Sequence, residues 1–120
     1  MPKLINLPTH TDARGDLTVV EKCLPFDVKR IYYIYNSTTL RGGHRHKETS
    51  QALICVSGSV DIYVHDGESE QTITLSSPNQ CLIVNPQDWH TMQNESRETV
   101  LLVLASHHYN QGDYVDEPYH

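Results

Sequence analysis

The chain has 120 residues, 38% of them hydrophobic, enough for one core and one domain spanning residues 1–120. Nine Lys and Arg against fifteen Asp and Glu leave a formal charge of −6, which excludes a nucleic-acid binder that works by phosphate neutralisation. No apolar run nears the roughly 20 residues of a membrane span, and the opening MPKLINLPTHTD lacks the apolar core of a signal peptide. The three cysteines are scattered, with neither a disulfide framework nor a CxxC pair, so the expected location is the cytoplasm. Cys55 and Cys81 sit in apolar runs and are expected to be buried free thiols.

Taken in order, the chain reads as short apolar segments between turn residues, the pattern of an all-β domain. DARGD (Asp12–Asp16) marks a turn before a strand at Leu17–Lys22, which Pro25 keeps from running further. Arg30–Asn36 is aromatic and β-branched, as a strand prefers. Gln51–Ser57 is almost continuously apolar, as expected of a strand buried on both faces. Ser57, Gly58 and Ser59 turn the chain into Val60–His65, which alternates cleanly; Asp66 and Gly67 turn it again into Gln71–Leu75. Ser76–Asn79 is a loop, Cys81–Val84 a short strand ended by Asn85 and Pro86, and Thr99–Ser106 the last strong strand. Seven to nine such strands imply a sandwich or a jelly-roll β-barrel. The tail from His107 is polar and aromatic, and it either frays or covers a pocket or a partner.

The chemistry concentrates at RGGHRHK (Arg41–Lys47). In a strand, residues two apart share a face, so His44 and His46 project together while Arg45 points the other way. Gly42 and Gly43 let backbone approach closely beside them. An imidazole titrates near neutrality and suits proton transfer, so His44 and His46 are the leading acid/base candidates. Tyr32, Tyr33 and Tyr35 stand on a neighbouring strand, where a phenol can donate to an oxyanion. Arg41 and Lys47 flank the histidines, and Arg14 is a turn residue that either pairs with its acidic neighbours or lines the mouth. His10, His65, His107, His108 and His120 are read as surface or structural.

The spacing His44-x-His46, Gln51, Gly58 resembles the first motif of the cupin superfamily, with Gln51 where a metal-binding cupin has Glu. Pro86, Trp89, His90 and Asn94 resemble the second motif, one residue short and without its usual glycine. Two histidines and a third on a facing strand suit a divalent metal, but a neutral amide in place of the carboxylate weakens that reading.

RGGHRHK, VKRIYYIY (Val28–Tyr35), DARGDL (Asp12–Leu17), PQDWHTM (Pro86–Met92) and LLVLAS (Leu101–Ser106) together resemble the nucleotide-sugar 3,4-ketoisomerases, small cupins of the FdtA/QdtA or WxcM-like family. The resemblance runs from about Asp12 to Asp116, with the blocks in the family's order. Arg45 departs from it, since a small residue is usual there. It implies a single cupin jelly-roll and an enzyme that needs neither metal nor redox cofactor. The implied substrate is dTDP-4-keto-6-deoxyglucose. His44 is implied as the base, with His46 as second choice or assistant, and Tyr32 or Tyr33 as the group polarising the ketone. Arg41, Lys47 and Arg30 are implied for the pyrophosphate and sugar, and Gln51 for the sugar or a histidine. Arg14 and His90 resemble the pairing of members that leave the galacto configuration at C4. A homodimer is also implied, and Lys3–Leu7 suits an exchange of N-terminal strands. The competing readings are a metal-dependent cupin using His44, His46 and His90, a non-catalytic dTDP-sugar-binding module, and a 3,5-epimerase-like cupin.

Overall fold

The computed structural model describes residues 2–37 and 39–119, so the surface assignment of His120 lies outside the described residues. Regular structure there is β apart from one short 3-10 turn at Gln111–Asp113. One five-stranded sheet runs β1 (Lys3–Asn6), β9 (Gln80–Val84), β6 (Gln51–Ser57), β11 (Val100–Ala105), β4 (Arg30–Tyr35). The second runs β12 (Tyr114–Val115), β5 (Arg41–His46), β10 (Trp89–Gln93), β7 (Val60–His65), β8 (Glu70–Leu75). β2 (Thr9–Asp12) and β3 (Gly15–Thr18) form a separate hairpin. This is the all-β jelly roll that the strand pattern predicts, with two facing sheets in place of a closed ring of paired strands.

The packing follows from alternation. In β7, Val60, Ile62 and Val64 are buried while Asp61, Tyr63 and His65 are half-buried. These inward residues meet Leu53 and Cys55 of β6, Leu82 and Val84 of β9, Met92 of β10 and Leu101 and Val103 of β11 in the core between the sheets. The other face of β6 is buried too. Ala52 and Ile54 join Cys81, Ile83 and Leu104 in a second cluster, covered by Leu7, Cys23, Leu24 and Phe26. That double burial accounts for the unbroken apolar run of β6. Cys55 and Cys81 are buried free thiols, as their apolar surroundings predict.

The structure refines three elements. The strand expected at Leu17–Lys22 ends at Thr18, because the chain then turns, with Lys22 at φ 53°, to lay Cys23, Leu24 and Phe26 over the sheet. Trp89–Gln93, which carries the third histidine expected on a facing strand, is a full strand between β5 and β7. The polar tail does not fray: β12 pairs with β5 in the register Tyr114↔His46 and Val115↔Arg45.

Candidate active site

β5 and β10 bring the three histidines together. His90 pairs directly with His44, and the register slips between His90 and Thr91. Gly42, at φ 83°, makes that approach possible: a Cβ there would lie 2.9 Å from the His90 carbonyl oxygen. The ring centroids are 5.1 Å apart for His44–His46, 5.3 Å for His44–His90 and 6.4 Å for His46–His90. The expectation that His44 and His46 share a face therefore holds geometrically.

Each buried ring is held by one nitrogen. His46 Nδ1–H donates to Asp113 Oδ2 at 2.8 Å, and His90 Nδ1–H donates to the Asp88 carbonyl at 3.0 Å. Both acceptors lack protons to give, which fixes both neutral rings with their lone pair on Nε2. Those two Nε2 atoms and Gln51 Oε1 are buried with no hydrogen-bond partner among the described residues. Gln51 Nε2 donates to the Tyr32 hydroxyl at 3.0 Å, which leaves the phenol's own proton free. The result is a pocket of buried acceptors beside one phenol donor, suited to a ligand rich in hydroxyls and carrying a carbonyl.

Burial and the neighbouring rings decide the charge. Burial holds His44 below its ordinary value, His46 adds to this, and Asp116 opposes it. Burial likewise lowers His46 against the pull of Asp113, and Arg30 lowers it further. Burial raises Asp113, but hydrogen bonds from Thr49, Glu48 and His46 outweigh it and hold the carboxyl at about 2. Burial keeps the Tyr32 phenol protonated above its usual range. His90 is pushed down to about 4, chiefly by its complete burial.

A pH dependence follows. The unfolded chain takes up a proton at residue 90 near pH 6.5, whereas the folded chain refuses it until about 4. Between those values acid favours unfolding. The contribution of His90 is full above pH 6.5 and is lost as the pH falls through 4, to a total of about 3 kcal/mol. Thermal melts at pH 7.5 and 4.5 should show a larger drop for the wild type than for His90→Gln; equal drops would contradict this.

Not all of the residues expected at the site lie beside the three histidines within this chain. Tyr33 is 62% exposed and stacks on Tyr35 on the outer face of β4, because alternation sends Tyr32 inward and Tyr33 outward. Arg14 sits exposed at the tip of the β2–β3 hairpin, ion-paired with Asp12 at 2.6 Å. Arg41 is exposed and borders a small cavity with Ile34, Met92 and Glu95; Lys47 is exposed as well. Arg30 is nearer, its guanidinium 4.5 Å from the Tyr32 ring centroid. Arg45 points away from the histidines, as expected, and covers the Tyr119 ring at 5.0 Å. His10, His107 and His108 are exposed, and His65 packs against Tyr119.

The sequence reading allowed the tail to cover a pocket but named none of its residues at the site. Tyr114 packs on His44 at 4.7 Å and on His46 at 4.4 Å between centroids. Trp89 Nε1 donates to the Asp116 carbonyl and Tyr119 Oη to the Gln87 carbonyl, pinning the segment in place. For a metal, the donor set does not fit: Gln51 brings no charge, and no group of three His, Cys, Asp or Glu among the described residues is placed to hold an ion.

The FdtA family model, described as WxcM-like, C-terminal, matches residues 1–120. A TDP-4-oxo-6-deoxy-alpha-D-glucose-3,4-oxoisomerase of Aneurinibacillus thermoaerophilus is 42% identical over 117 residues, covering 94% of this chain and 84% of that protein. The crystal structure of a 3,4-ketoisomerase from Helicobacter canadensis superposes with a TM-score of 0.93 at 41% identity, over 97% of this chain and 90% of that one. The QdtA 3,4-ketoisomerase from Thermoanaerobacterium thermosaccharolyticum, a histidine-to-asparagine mutant in complex with TDP-4-keto-6-deoxyglucose, superposes with a TM-score of 0.93 at 38% identity, over 97% and 87%. The match over the whole length, joined to a jelly roll whose histidines meet where the motifs place them, shows that this chain belongs to the FdtA (WxcM-like) family.

Proposed function

We propose that this chain is a nucleotide-sugar 3,4-ketoisomerase that converts dTDP-4-keto-6-deoxyglucose to a dTDP-3-keto-6-deoxyhexose. The carrying observation is the cluster of three neutral imidazoles beside the Tyr32 phenol, in a chain whose relatives bear that name. His44 is the only one of the three that is half-exposed, so it is the base that a substrate carbon can reach. It removes the proton from C3, and the Tyr32 hydroxyl donates to the developing charge on O4. Protonation at C4, with transfer of a proton from O3 to O4, leaves the carbonyl at C3. The sugar oxidises C3 as it reduces C4, so the balance requires no external redox partner.

Arg30 stands nearest the phenol, and Arg41 and Lys47 offer exposed charge for the diphosphate. His90, with the Arg14 arm, favours the galacto configuration at C4. Residues 1–120 act as one domain on this reading, in the cytoplasm. The product supplies an aminotransferase that makes a 3-amino sugar for a surface glycan.

Arg14 reaches no site within its own chain. Its hairpin is exposed along nearly its whole length, with Leu17 at 59%, while β1 is already paired with β9. A homodimer in which N-terminal segments are exchanged would bring Arg14 to a second copy's histidines. Sedimentation should show a dimer; a monomer at working concentration would contradict this arrangement.

The activity itself is tested by 13C NMR of the purified chain with dTDP-4-keto-6-deoxyglucose. The carbonyl resonance should move from C4 to C3, and the coupling at H4 should report the galacto configuration. Movement of the carbonyl with gluco coupling would overturn the configuration alone. Binding without any change in the sugar would favour the non-catalytic module.

A further inference from the structure

We propose that Tyr119, with Arg45 stacked on its ring, is a positioning residue: it anchors the C-terminal strap and so holds the Tyr114 ring as one wall of the histidine pocket. The inference goes beyond the ketoisomerase reading, and only its last readout rests on that reading.

The strap is fastened at its start and at its end. β12 pairs with β5 through Tyr114 and Val115. Asp116, Glu117 and Pro118 are then exposed, and the chain comes down again at the half-buried Tyr119. The outer face of the second sheet receives that ring. The Arg45 guanidinium lies 5.0 Å from its centroid and the His65 ring 5.4 Å. Gly67 lies beside it, where an added Cβ would touch the ring at 3.5 Å. Arg45 Nε is buried with no hydrogen-bond partner among the described residues, so the ring face compensates a donor held out of water.

The anchor reaches the histidines by a short path. Tyr119 Oη donates to the Gln87 carbonyl at 2.8 Å, and the Gln87 N–H donates to the His46 carbonyl at 2.8 Å. Those two bonds hold Gln87 at φ 75°, a left-handed conformation that is strained for glutamine. At the near end of the strap, the Tyr114 ring stands 4.7 Å from His44 and 4.4 Å from His46. β5 thus carries the clamp on its outer face, at Arg45, and the base on its inner face, at His44.

The consequence falls on His44. It is faced by His46 from its own strand, by His90 from β10, and by Tyr114 and Asp116 from the strap. A loosened strap readmits water, which raises the His44 pKa toward its ordinary value, and it withdraws Asp116, which lowers it. Burial is the larger cause, so the net change is upward. His90, fully buried and bonded to the Asp88 carbonyl, is expected to stay at about 4.

Trp89, the chain's single tryptophan, donates its indole N–H to the Asp116 carbonyl and gives one resonance that reports the strap. Its exchange with deuterated water is followed by NMR without substrate. Arg45→Ala should speed it about 2–5-fold, the effect of losing one exposed cation–π contact. Tyr119→Ala, which loses the ring and the Gln87 bond together, should speed it about 10-fold or more. Arg45→Ala added to Tyr119→Ala should change it less than about twofold, because the cation then has no ring to hold. Unchanged exchange in either single variant, or additive effects in the double one, would overturn the clamp. In the same samples the His44 midpoint should rise in Tyr119→Ala while that of His90 stays. An unmoved His44, or both rings shifting together as general loosening would shift them, would overturn the wall. If Tyr119→Ala does not fold, Arg45→Lys decides: lysine restores slow exchange relative to Arg45→Ala, and equal exchange in the two overturns the proposal. Last, the acid limb of kcat/KM for dTDP-4-keto-6-deoxyglucose should move up with His44. A chain whose strap and His44 respond as expected but that leaves this sugar unchanged refutes the ketoisomerase reading and not the anchor.

Discussion

His44→Asn should lower kcat about 10³-fold while the Kd for the dTDP-sugar changes less than about threefold. Asparagine preserves the size and polarity of the ring's edge but cannot take a proton from carbon. The neighbours cannot replace it. His90 is fully buried with Nδ1 committed to the Asp88 carbonyl, and His46 is buried with Nδ1 committed to Asp113. Binding survives because the charged groups suited to a diphosphate, Arg30, Arg41 and Lys47, are separate from the imidazole. Kinetics beside calorimetric titration checks both halves. Retained kcat in His44→Asn, with His46→Asn inactive in C3 exchange, would move the base to His46.

The second large effect is expected at Gln51, which is 1% exposed and donates to the Tyr32 hydroxyl. Gln51→Glu reverses that bond. A carboxylate has no N–H to give, so the phenol must donate to it, and the proton meant for the substrate oxygen is spent. The new charge also favours the protonated form of the adjacent imidazoles, which removes bases. Activity should fall about 100-fold. The variant also gains the carboxylate that a metal-binding cupin has at this position. Elemental analysis after dialysis against zinc should show more bound metal in the variant than in the wild type. Full activity in Gln51→Glu would show that neither the phenol's proton nor neutral imidazoles are needed.

How much of this was legible in the chain depended on how local each signal was. β6 and β7 follow from a continuous apolar run and a strict alternation, and their bounds match residue for residue. The His44-x-His46 pair was readable because a period of two needs only the local backbone. Tyr32 and Tyr33 were not separable, since alternation says that they differ but not which one faces the core. β10 was hidden by Pro86 and by its polar residues, whose burial depends on β5 and β7 arriving on either side. Asp113 lies 67 residues from His46 in sequence, in a tail with no apolar pattern, so only the folded β5–β12 pairing reveals their hydrogen bond. Arg14 was visible as a turn residue, but its distance from the histidines within one chain appears only when the hairpin is seen to stand apart.

The most direct test of the central claim, proton transfer by side chains alone, is proton NMR of chelator-treated protein with dTDP-4-keto-6-deoxyglucose in deuterated water. The account predicts 3-keto product, with deuterium at C4 and no need for added metal. No product and no exchange until a divalent metal is restored would contradict it, and would make His44, His46 and His90 ligands in place of acids and bases.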